Sequence, residues 1–197
     1  PINAANSDIH LIGSCDASME ITIAAIHARV ELEDGTFSCQ LLTGKSKLVK
    51  GATIPRAELK GAVLVATMMH TVVRNLRKHI KSVTFVTDSA ICLHWLNQDY
   101  RPLQVAVRNS VIEIRRLSLP ERWFHVETFN NIADLGTRPA SVEEIASDSD
   151  WQNGKPWMRG PAEKFPIKTV QELILSPVDK QSAAKEMRAA DVGGHLL

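Results

Sequence analysis

The chain has 197 residues, of which 44% are hydrophobic and 23% charged, and its formal net charge is +1. This composition is typical of a folded globular protein with one good core, and it excludes a disordered or collagen-like chain. No apolar stretch approaches the ~20 residues that a transmembrane helix needs, and no basic start leads into an apolar run and a cleavage site. We therefore expect neither a membrane protein nor a secreted one.

The cysteines are Cys15, Cys39 and Cys92, an odd number with no C-x-x-C pair. This argues against a disulfide framework and against a zinc knuckle, and it favours a reducing compartment. We interpret all three as small buried hydrophobic residues.

Charge is distributed unevenly along the chain. Residues 1–44 hold one Lys/Arg and six Asp/Glu, residues 45–122 hold fourteen and five, and residues 123–197 hold eight and eleven, which gives −5, +9 and −3. A basic middle of this kind fits contact with a polyanion, but it fits the solvated faces of surface helices equally well.

The first part of the chain predicts three antiparallel strands. Residues 9–15 form a short apolar run, and residues 21–32 are rich in β-branched side chains. A turn signal at residues 33–35 separates this second run from a returning strand at residues 36–48.

The next part predicts alternating helices and strands. A long helix begins near Pro55, a residue favoured in the first turn, and keeps apolar residues at helical spacing as far as Leu76. After it we predict, in order, a strand at 83–87, helices at 91–96 and 103–117, a strand at 122–128, and a loop at 130–140 that enters a helix. The order β-β-β-α-β-α-α-β-α indicates an α/β protein with a mixed sheet and helices on its faces.

The character of the sequence changes near residue 140. Residues 141–168 are rich in proline and turn signals, and a more polar, helical stretch follows. We predict a main domain at 1–140 and an appendage or linker at 141–197 that is not part of the main sheet.

Four acidic residues lie at positions where a site is expected. Asp16 closes the first strand, Glu58 lies in the first turn of the long helix, Asp88 closes the fourth strand, and Asp134 lies where the last loop enters a helix. Ligands of α/β sheets collect at the carboxyl ends of strands. Because clustered carboxylates repel one another, such a set indicates divalent cations with a preference for oxygen ligands, with Mg²⁺ as the natural candidate.

Each of these acids has an ordinary alternative. Asp88 with Ser89, or Asp134, would serve as a helix cap, and Glu58 would be favoured by the dipole of its helix. Spacing alone leaves the choice open.

The local sequences around the four acids resemble a known family. The resemblance rests on the following fragments, in chain order: Ser14-Cys15-Asp16-Ala17-Ser18, Thr53-Ile54-Pro55-Arg56-Ala57-Glu58-Leu59, Val86-Thr87-Asp88-Ser89, His94-Trp95-Leu96, Trp123-Phe124-His125-Val126, Asn131-Ile132-Ala133-Asp134-Leu135-Gly136-Thr137-Arg138 and Gly154-Lys155-Pro156-Trp157. Together they are similar to the ribonuclease H region of BEL/Pao-type LTR retrotransposon polyproteins, where it lies between reverse transcriptase and integrase. The resemblance spans roughly residues 9–157.

This resemblance implies a ribonuclease H-like fold, with a five-stranded mixed sheet of three antiparallel and then parallel strands and helices on both faces. It implies an endonuclease that hydrolyses the RNA strand of RNA–DNA hybrids by a two-metal mechanism during reverse transcription. Asp16, Glu58, Asp88 and Asp134 would be its catalytic residues and would bind two Mg²⁺ ions, for which Mn²⁺ can substitute.

The resemblance also implies partners and a location. The partners would be the hybrid and the reverse transcriptase domain of the same polyprotein, with no membrane and no small-molecule cofactor. The expected location is the cytoplasm, within a virus-like particle, or the nucleus.

Several other residues are candidates for contact with the hybrid. Basic residues of the middle segment are expected to contact backbone phosphates. Polar residues are expected to recognise the 2′-hydroxyl groups and the shape of the hybrid. These candidates are Lys45, Lys47, Lys50, Arg74, Arg77, Lys78, Ser89 and Asn109. Trp95, within an apolar helix, is interpreted as a core residue in preference to a stacking platform.

The chain departs from the expected pattern in two places. Cellular ribonucleases H often have a histidine in the loop before the last aspartate, whereas the loop at 127–132 has none, and we interpret His125 as a strand residue. Met19-Glu20-Ile21-Thr22 replaces a glycine-containing stretch, which leaves the substrate contacts of the first hairpin undefined. Residues 191–196 faintly resemble the start of an integrase region.

Two alternatives remain at this point. One is a catalytically silent ribonuclease H-like module that binds nucleic acid or a protein. The other is a related integrase or transposase, although such enzymes usually carry their last acid on a late helix and lack an early-helix residue such as Glu58.

Overall fold

The computed structural model describes residues 8–188, so the integrase-like segment at 191–196 lies outside the described residues. Its first three strands are β1 (Ile9–Ala17), β2 (Ile21–Glu31) and β3 (Phe37–Leu48), and they pair antiparallel in chain order. β2 is buried along almost its whole length because both faces of the sheet are covered, which explains its continuous run of apolar and β-branched residues.

The α/β part of the chain follows. Its elements are α1 (Ile54–Asn75), β4 (Ile80–Thr87), α2 (Ala90–Asn97), α3 (Val105–Leu117) and β5 (Trp123–Val126). β4 runs parallel to β1, and β5 runs parallel to β4. The order across the sheet is β3-β2-β1-β4-β5-β6, which confirms the predicted mixed sheet.

The main core lies between the sheet and the three long helices. α1 packs across β1 and β2, and its buried side chains, such as Leu59, Ala62 and Met69, recur at the spacing of one helical face. On the far strands, Phe85 stacks on Trp123 with ring centroids 4.5 Å apart. Burial of this face supplies the main driving force for folding.

The opposite face is covered by short elements. They comprise a 3-10 helix (Ile132–Gly136), α4 (Val142–Ile145), α5 (Asp150–Asn153) and a second 3-10 helix (Pro156–Arg159). The chain continues through β6 (Ile167–Lys168) to α6 (Pro177–Ala184), which packs against α2. A second apolar cluster joins the sheet to the short elements, with Ile12, Val86 and Val126 on the sheet and Ile132 and Met158 above it. The helix predicted after residue 140 is therefore a series of short turns.

Residues 141–188, which we call the tail, contribute a strand to the sheet. The prediction that the appendage is not part of the main sheet is therefore wrong. β6 pairs antiparallel with β5 and adds a sixth strand to the predicted five. Arg29 of β2, only 2% exposed, donates hydrogen bonds to the carbonyls of Met158 and Gly160 at 3.0 and 2.7 Å. A buried guanidinium needs such acceptors, and the tail supplies them. The division of the chain at residue 140 stays a prediction.

Two smaller expectations concern the cysteines and membrane-spanning helices. Cys15, Cys39 and Cys92 are all buried and free, which confirms their interpretation as small hydrophobic residues. Among residues 8–188, none of the helices combines the length and the apolar character that crossing a bilayer would require.

Candidate active site

Sheet topology brings two of the predicted acids to the same edge. Ser14 of β1 is in register with Val86 of the parallel strand β4. Asp16 and Asp88 each follow that pair by two residues, so they lie side by side where both strands end. The first and fourth strands are thus parallel neighbours.

Asp16 is held from two sides and is only 8% exposed. Its Oδ1 accepts a hydrogen bond from the backbone N–H of Ala17 at 2.7 Å, and its Oδ2 accepts one from the hydroxyl of Thr137 at 3.2 Å. Burial raises the pKa of Asp16 to about 6, and the negative charge of Asp88 adds to this rise. The carboxyl group of Asp16 therefore gains and loses its proton at a pH close to neutral.

Glu58 reaches the same place from α1. It is the fifth residue of the helix, so its predicted place in the first turn is wrong, and its interaction with the helix dipole is correspondingly weak. The helix comes very close to the sheet here, because a Cβ atom on Gly61 would lie 2.7 Å from Thr22 Oγ1 and 3.1 Å from the carbonyl of Asp16. Glycine at 61 thus permits the approach that delivers Glu58 to the strand ends.

The carboxyl group of Glu58 is buried and has one strong partner. Its Oε2 accepts a hydrogen bond from the hydroxyl of Ser89 at 2.6 Å. Burial raises the pKa of Glu58 to about 7 against the lowering effect of Ser89, and Asp88, Asp16 and Asp179 raise it further. Such a shift is typical of functional sites.

Asp88 follows β4 directly and is flanked by polar groups. Its Oδ1 accepts a hydrogen bond from Asn131 Nδ2 at 3.1 Å, and its backbone carbonyl lies 3.1 Å from His125 Nε2. The helix-cap alternative is wrong for Asp88, because Ser89 caps α2 by accepting from the backbone N–H of Cys92. The side chain of Asp88 therefore does not cap α2.

Asp134 lies within the 3-10 helix Ile132–Gly136, where Asn131 and not Asp134 is the cap. The helix sits tightly on β2, since a Cβ atom on Gly136 would lie 1.7 Å from Ile23 Cδ1. The hydroxyl of Thr137 lies 2.9 Å from the carbonyl of Asp134 and 3.2 Å from Asp16 Oδ2, and its one proton is shared between these two acceptors, which links the two acids. The Nε atom of Arg138 lies 3.7 Å from Asp134 Oδ2.

The charges of the four acids influence one another, but their carboxylates do not converge on a single point. The charge of Asp88 raises the pKa of Asp16 and Glu58, and that of Asp134 raises the pKa of Asp16. Within residues 8–188, no group of three or more His, Cys, Asp or Glu side chains is close enough to hold a metal ion as it stands. The physical reason is visible in the hydrogen bonds, because each carboxylate turns to a separate partner: Thr137, Ser89, Asn131 or Arg138.

A cleft of about 570 Å³ opens beside this group of acids. Glu58, Asp88 and Ser89 line one side of it, and the tail lines the other with Lys168, Glu172 and Asp179, among others. Lys168 is neutralised by an ion pair with Glu127 at 2.8 Å. We call the two acids of the tail that line the cleft, Glu172 and Asp179, the acidic wall.

The chain just after the acidic wall is anchored next to the long helix. Arg56 Nε and Nη2 donate to Glu186 Oε1 and Oε2 at 2.8 and 2.7 Å, and Arg56 Nη2 also donates to Gln104 Oε1. The backbone N–H of Gln104 donates to the carbonyl of Glu186 at 2.8 Å. This bidentate arrangement fixes the tail two residues away from Glu58.

The basic residues predicted to contact nucleic acid fall into two groups. Lys45 and Lys47 flank Ser46, which pairs with Ile23, which in turn pairs with Asp16. Two strand spacings put their backbone roughly 10 Å from that of Asp16, and because side chains alternate along a strand, Lys45 and Lys47 project from the face opposite to that of Ser46. They also line a groove of about 760 Å³ between β3 and α1.

The second group lies far from the acids. Arg74 is near the end of α1, and sixteen residues of helix separate it from Glu58, a distance of roughly 24 Å. Arg77 and Lys78 follow the helix and are exposed. Lys50 and Asn109 are also exposed, but Lys50 belongs to neither group: it follows Val49, whose N–H donates to the carbonyl of Glu20 just beyond β1. Trp95 is fully buried, which confirms its interpretation as a core residue.

Sequence reasoning missed several residues of the site. Asn131 and Thr137 lie inside the fragment that carried the resemblance, and their proximity to Asp134 was an available signal. Gly61 and the acidic wall had no local signal, since their roles arise from contacts with distant segments.

Comparison with known proteins identifies one family. Residues 2–89 match the Pao retrotransposon-like RNaseH-like domain, somewhat less than half of the chain. The matched segment contains Asp16, Glu58 and Asp88 but not Asp134. The resemblance and the ribonuclease H-like fold class predicted from the sequence are confirmed, whereas no curated protein matches the chain.

Similar solved structures include two RNase H proteins and one viral protease-reverse transcriptase. An N-terminal RNase H domain from Mycobacterium tuberculosis is 14% identical over 63% of this chain and 86% of that one, with a TM-score of 0.42. LC11-RNase H1 in complex with an RNA/DNA hybrid, from compost, is 15% identical over 63% and 88%, with a TM-score of 0.41. The foamy viral protease-reverse transcriptase with RNA/DNA hybrid is 14% identical over 70% and 19%, with a TM-score of 0.36. With TM-scores below 0.5, none of them bears on the function of this chain.

Proposed function

We propose, on the premise that residues 2–89 match the Pao retrotransposon-like RNaseH-like family, that the chain is a metal-dependent endonuclease for the RNA strand of RNA–DNA hybrids. The observation that supports this most directly is the meeting of Asp16, Glu58 and Asp88, from three separate segments, at one end of the sheet, where their charges oppose each other. Asp134 joins them through Thr137.

The donor set fits divalent cations. Asp16, Glu58, Asp88 and Asp134 offer only carboxylate oxygens, the ligands that Mg²⁺ and Mn²⁺ prefer. Burial and mutual repulsion already raise the pKa of Asp16 and of Glu58, and a cation would relieve both effects. When bound, two such ions would supply positive charge for the attacking and leaving oxygens of a phosphodiester.

The protein's own contribution is orientation. The hydroxyls of Thr137 and Ser89 hold one oxygen each of Asp16 and Glu58, which leaves the other oxygen of Glu58 unengaged by these bonds. Lys45 and Lys47 lie at the same end of the sheet as Asp16 and are placed to meet backbone phosphates. The reverse transcriptase domain of the same polyprotein remains the proposed partner that adds substrate affinity.

A cleavage assay tests this function directly. The chain is incubated with an RNA–DNA hybrid labelled on the RNA strand, with Mg²⁺ or Mn²⁺, and the expected result is internal cleavage of the RNA that Asp88→Asn abolishes. Asp99→Asn is the matched control, because Asp99 is exposed and paired only with Arg101. Undiminished cleavage by Asp88→Asn would contradict the site.

One observation favours the alternative of a silent binding module. Glu172 and Asp179 line the cleft beside Glu58 and Asp88, and their negative charge opposes a phosphate backbone. This favours the form of the alternative that binds a protein partner, which predicts no cleavage of the hybrid at any concentration of either ion.

A further inference from the structure

Asn131 is the most completely bonded polar side chain around the four acids. It is 1% exposed, and its Nδ2 donates to the backbone carbonyl of Cys15 at 3.0 Å and to Asp88 Oδ1 at 3.1 Å. Its Oδ1 accepts a hydrogen bond from the backbone N–H of Ala133 at 3.2 Å. Three separate segments thus meet on one amide group.

These bonds require an amide at this position. The Nδ2 group faces two acceptors and the Oδ1 atom faces a donor, so a carboxylate of the same shape would put an oxygen against the carbonyl of Cys15 and the carboxylate of Asp88. An alanine would leave the carbonyl of Cys15 and Asp88 Oδ1 without this donor. The side chain is thus matched in both shape and polarity.

The same amide connects three of the four acids. Cys15 immediately precedes Asp16, and Asp88 is bonded directly. The bond to Ala133 caps the 3-10 helix that carries Asp134, and Thr137 at the end of that helix returns to Asp16. Among residues 8–188, Asn131 is the one side chain that hydrogen-bonds to the carboxylate of Asp88.

We infer that Asn131 is a positioning residue for cation binding: it fixes one oxygen of Asp88, leaves the other free, and docks the helix of Asp134 against the end of β1. It is buried and acts through these acids without touching the substrate. The inference rests on the proposed function, because it assumes that the acids bind divalent ions.

The test compares Asn131→Ala and Asn131→Asp with Asn153→Ala. Asn153 is a suitable control because its Nδ2 also donates to two carbonyls, those of Ser147 and Ser149, away from the acids. Binding of Mg²⁺ and of Mn²⁺ to each purified full chain is measured by calorimetry, melting temperature by circular dichroism, and kcat and KM by hybrid cleavage.

We expect Asn131→Ala to weaken ion binding by about tenfold or more, as loss of a side chain that orients ligands typically does. Asn131→Asp is expected to retain the fold but to lower kcat at saturating metal with little change in KM. Asn153→Ala is expected to lower only the melting temperature.

The outcomes separate the two claims. If the wild-type chain binds the ions and Asn131→Ala binds them equally well, whatever its melting temperature, the role of Asn131 is overturned while the proposed function stands. If Asn131→Ala weakens ion binding although the wild-type chain cuts no hybrid, the role of Asn131 stands and the proposed function falls. If the wild-type chain binds neither ion, both fall.

Discussion

Ser89 and Glu58 share a hydrogen bond of 2.6 Å that joins the start of α2 to α1. Ser89 also caps α2, so a single hydroxyl both stabilises a helix and holds a buried acid. The bond lowers the pKa of Glu58 against the larger effect of burial. This double role makes Ser89 a sensitive probe of the candidate site.

We expect Ser89→Ala to lower the free energy of unfolding by about 1–2 kcal/mol, through loss of the cap and of one buried hydrogen bond. Because the bond favours the ionised form of Glu58, its loss raises the pKa of Glu58, and the pH needed for half-maximal cleavage should rise. Urea unfolding and a pH–rate profile measure the two effects. Ser118→Ala removes the hydroxyl that accepts from Trp123 Nε1 at the start of β5, the end of that strand away from the acids, and should change stability without moving the pH profile.

Glu58→Gln should stabilise the metal-free protein in a pH-dependent way. The pKa of Glu58 is about 7 in the folded protein and roughly 4.3 in an unfolded chain. The stability that its proton contributes is complete below the unfolded value and is lost as pH rises through about 7. We expect the glutamine variant to exceed the wild type by about 1–3 kcal/mol at pH ~8 and to converge on it as pH falls to ~4. An equal difference at both pH values, measured by urea unfolding, would show that charge is not the cause.

The two groups of basic residues should differ in their effect on hybrid binding. The double variant Lys45→Ala/Lys47→Ala should raise KM for the hybrid and reduce the slope of log K against log salt by about two, one for each lost phosphate contact. Arg74→Ala/Arg77→Ala has the same change in charge but lies far from Glu58, so its effect should be smaller. Binding measured across a salt series by fluorescence anisotropy decides between them, and equal slopes would contradict the placement.

Charge in the acidic wall should restrain activity. Asp179 raises the pKa of Glu58, and Glu172 lies in the same cleft. We expect Glu172→Gln/Asp179→Asn to lower KM for the hybrid and to shift the acidic limb of the pH–rate profile downwards. Glu163→Gln, on the tail but outside the cleft lining, is the control, and steady-state kinetics over a pH series is the measurement. A rise in KM would mean that these acids help the substrate to bind.

Arg29 should be essential for the tail. Arg29→Ala leaves the carbonyls of Met158 and Gly160 without their donors and opens space beneath Phe37, whose ring lies 3.4 Å from the guanidinium. We expect a loss of about 2–4 kcal/mol in the free energy of unfolding. Limited proteolysis should then cut within residues 155–166 first. Retained resistance to protease there would show that the tail packs without Arg29.

The sheet and the position of the acids were predictable because they depend on local signals. Alternating and continuous apolar runs defined β1 to β5 within a few residues. Asp16 and Asp88 could therefore each be placed at the end of a strand, whereas their side-by-side position depends on the parallel pairing of β1 with β4 that the structure supplies.

The rest of the site could not be predicted, because it depends on pairs far apart in the sequence. Arg29 meets Met158 across 129 residues, and Arg56 meets Glu186 across 130. Proline and turn signals in residues 141–168 indicated an appendage, whereas the buried Arg29 in β2 was the one sign that an acceptor must come from elsewhere. Glu58 falls just beyond the predicted first turn because the helix begins one residue earlier than Pro55, and helix starts are poorly marked in sequence.

The bond between Arg56 and Glu186 also sets an order of assembly. Strands β1 to β5 and helices α1 to α3 are complete in the chain well before Glu186 is synthesised. A growing chain that folds from its N-terminus would therefore gather Asp16, Glu58 and Asp88 first and close the cleft last. Newly made molecules would pass through a stage in which the acids face solvent directly, and cations would reach them most easily at that stage.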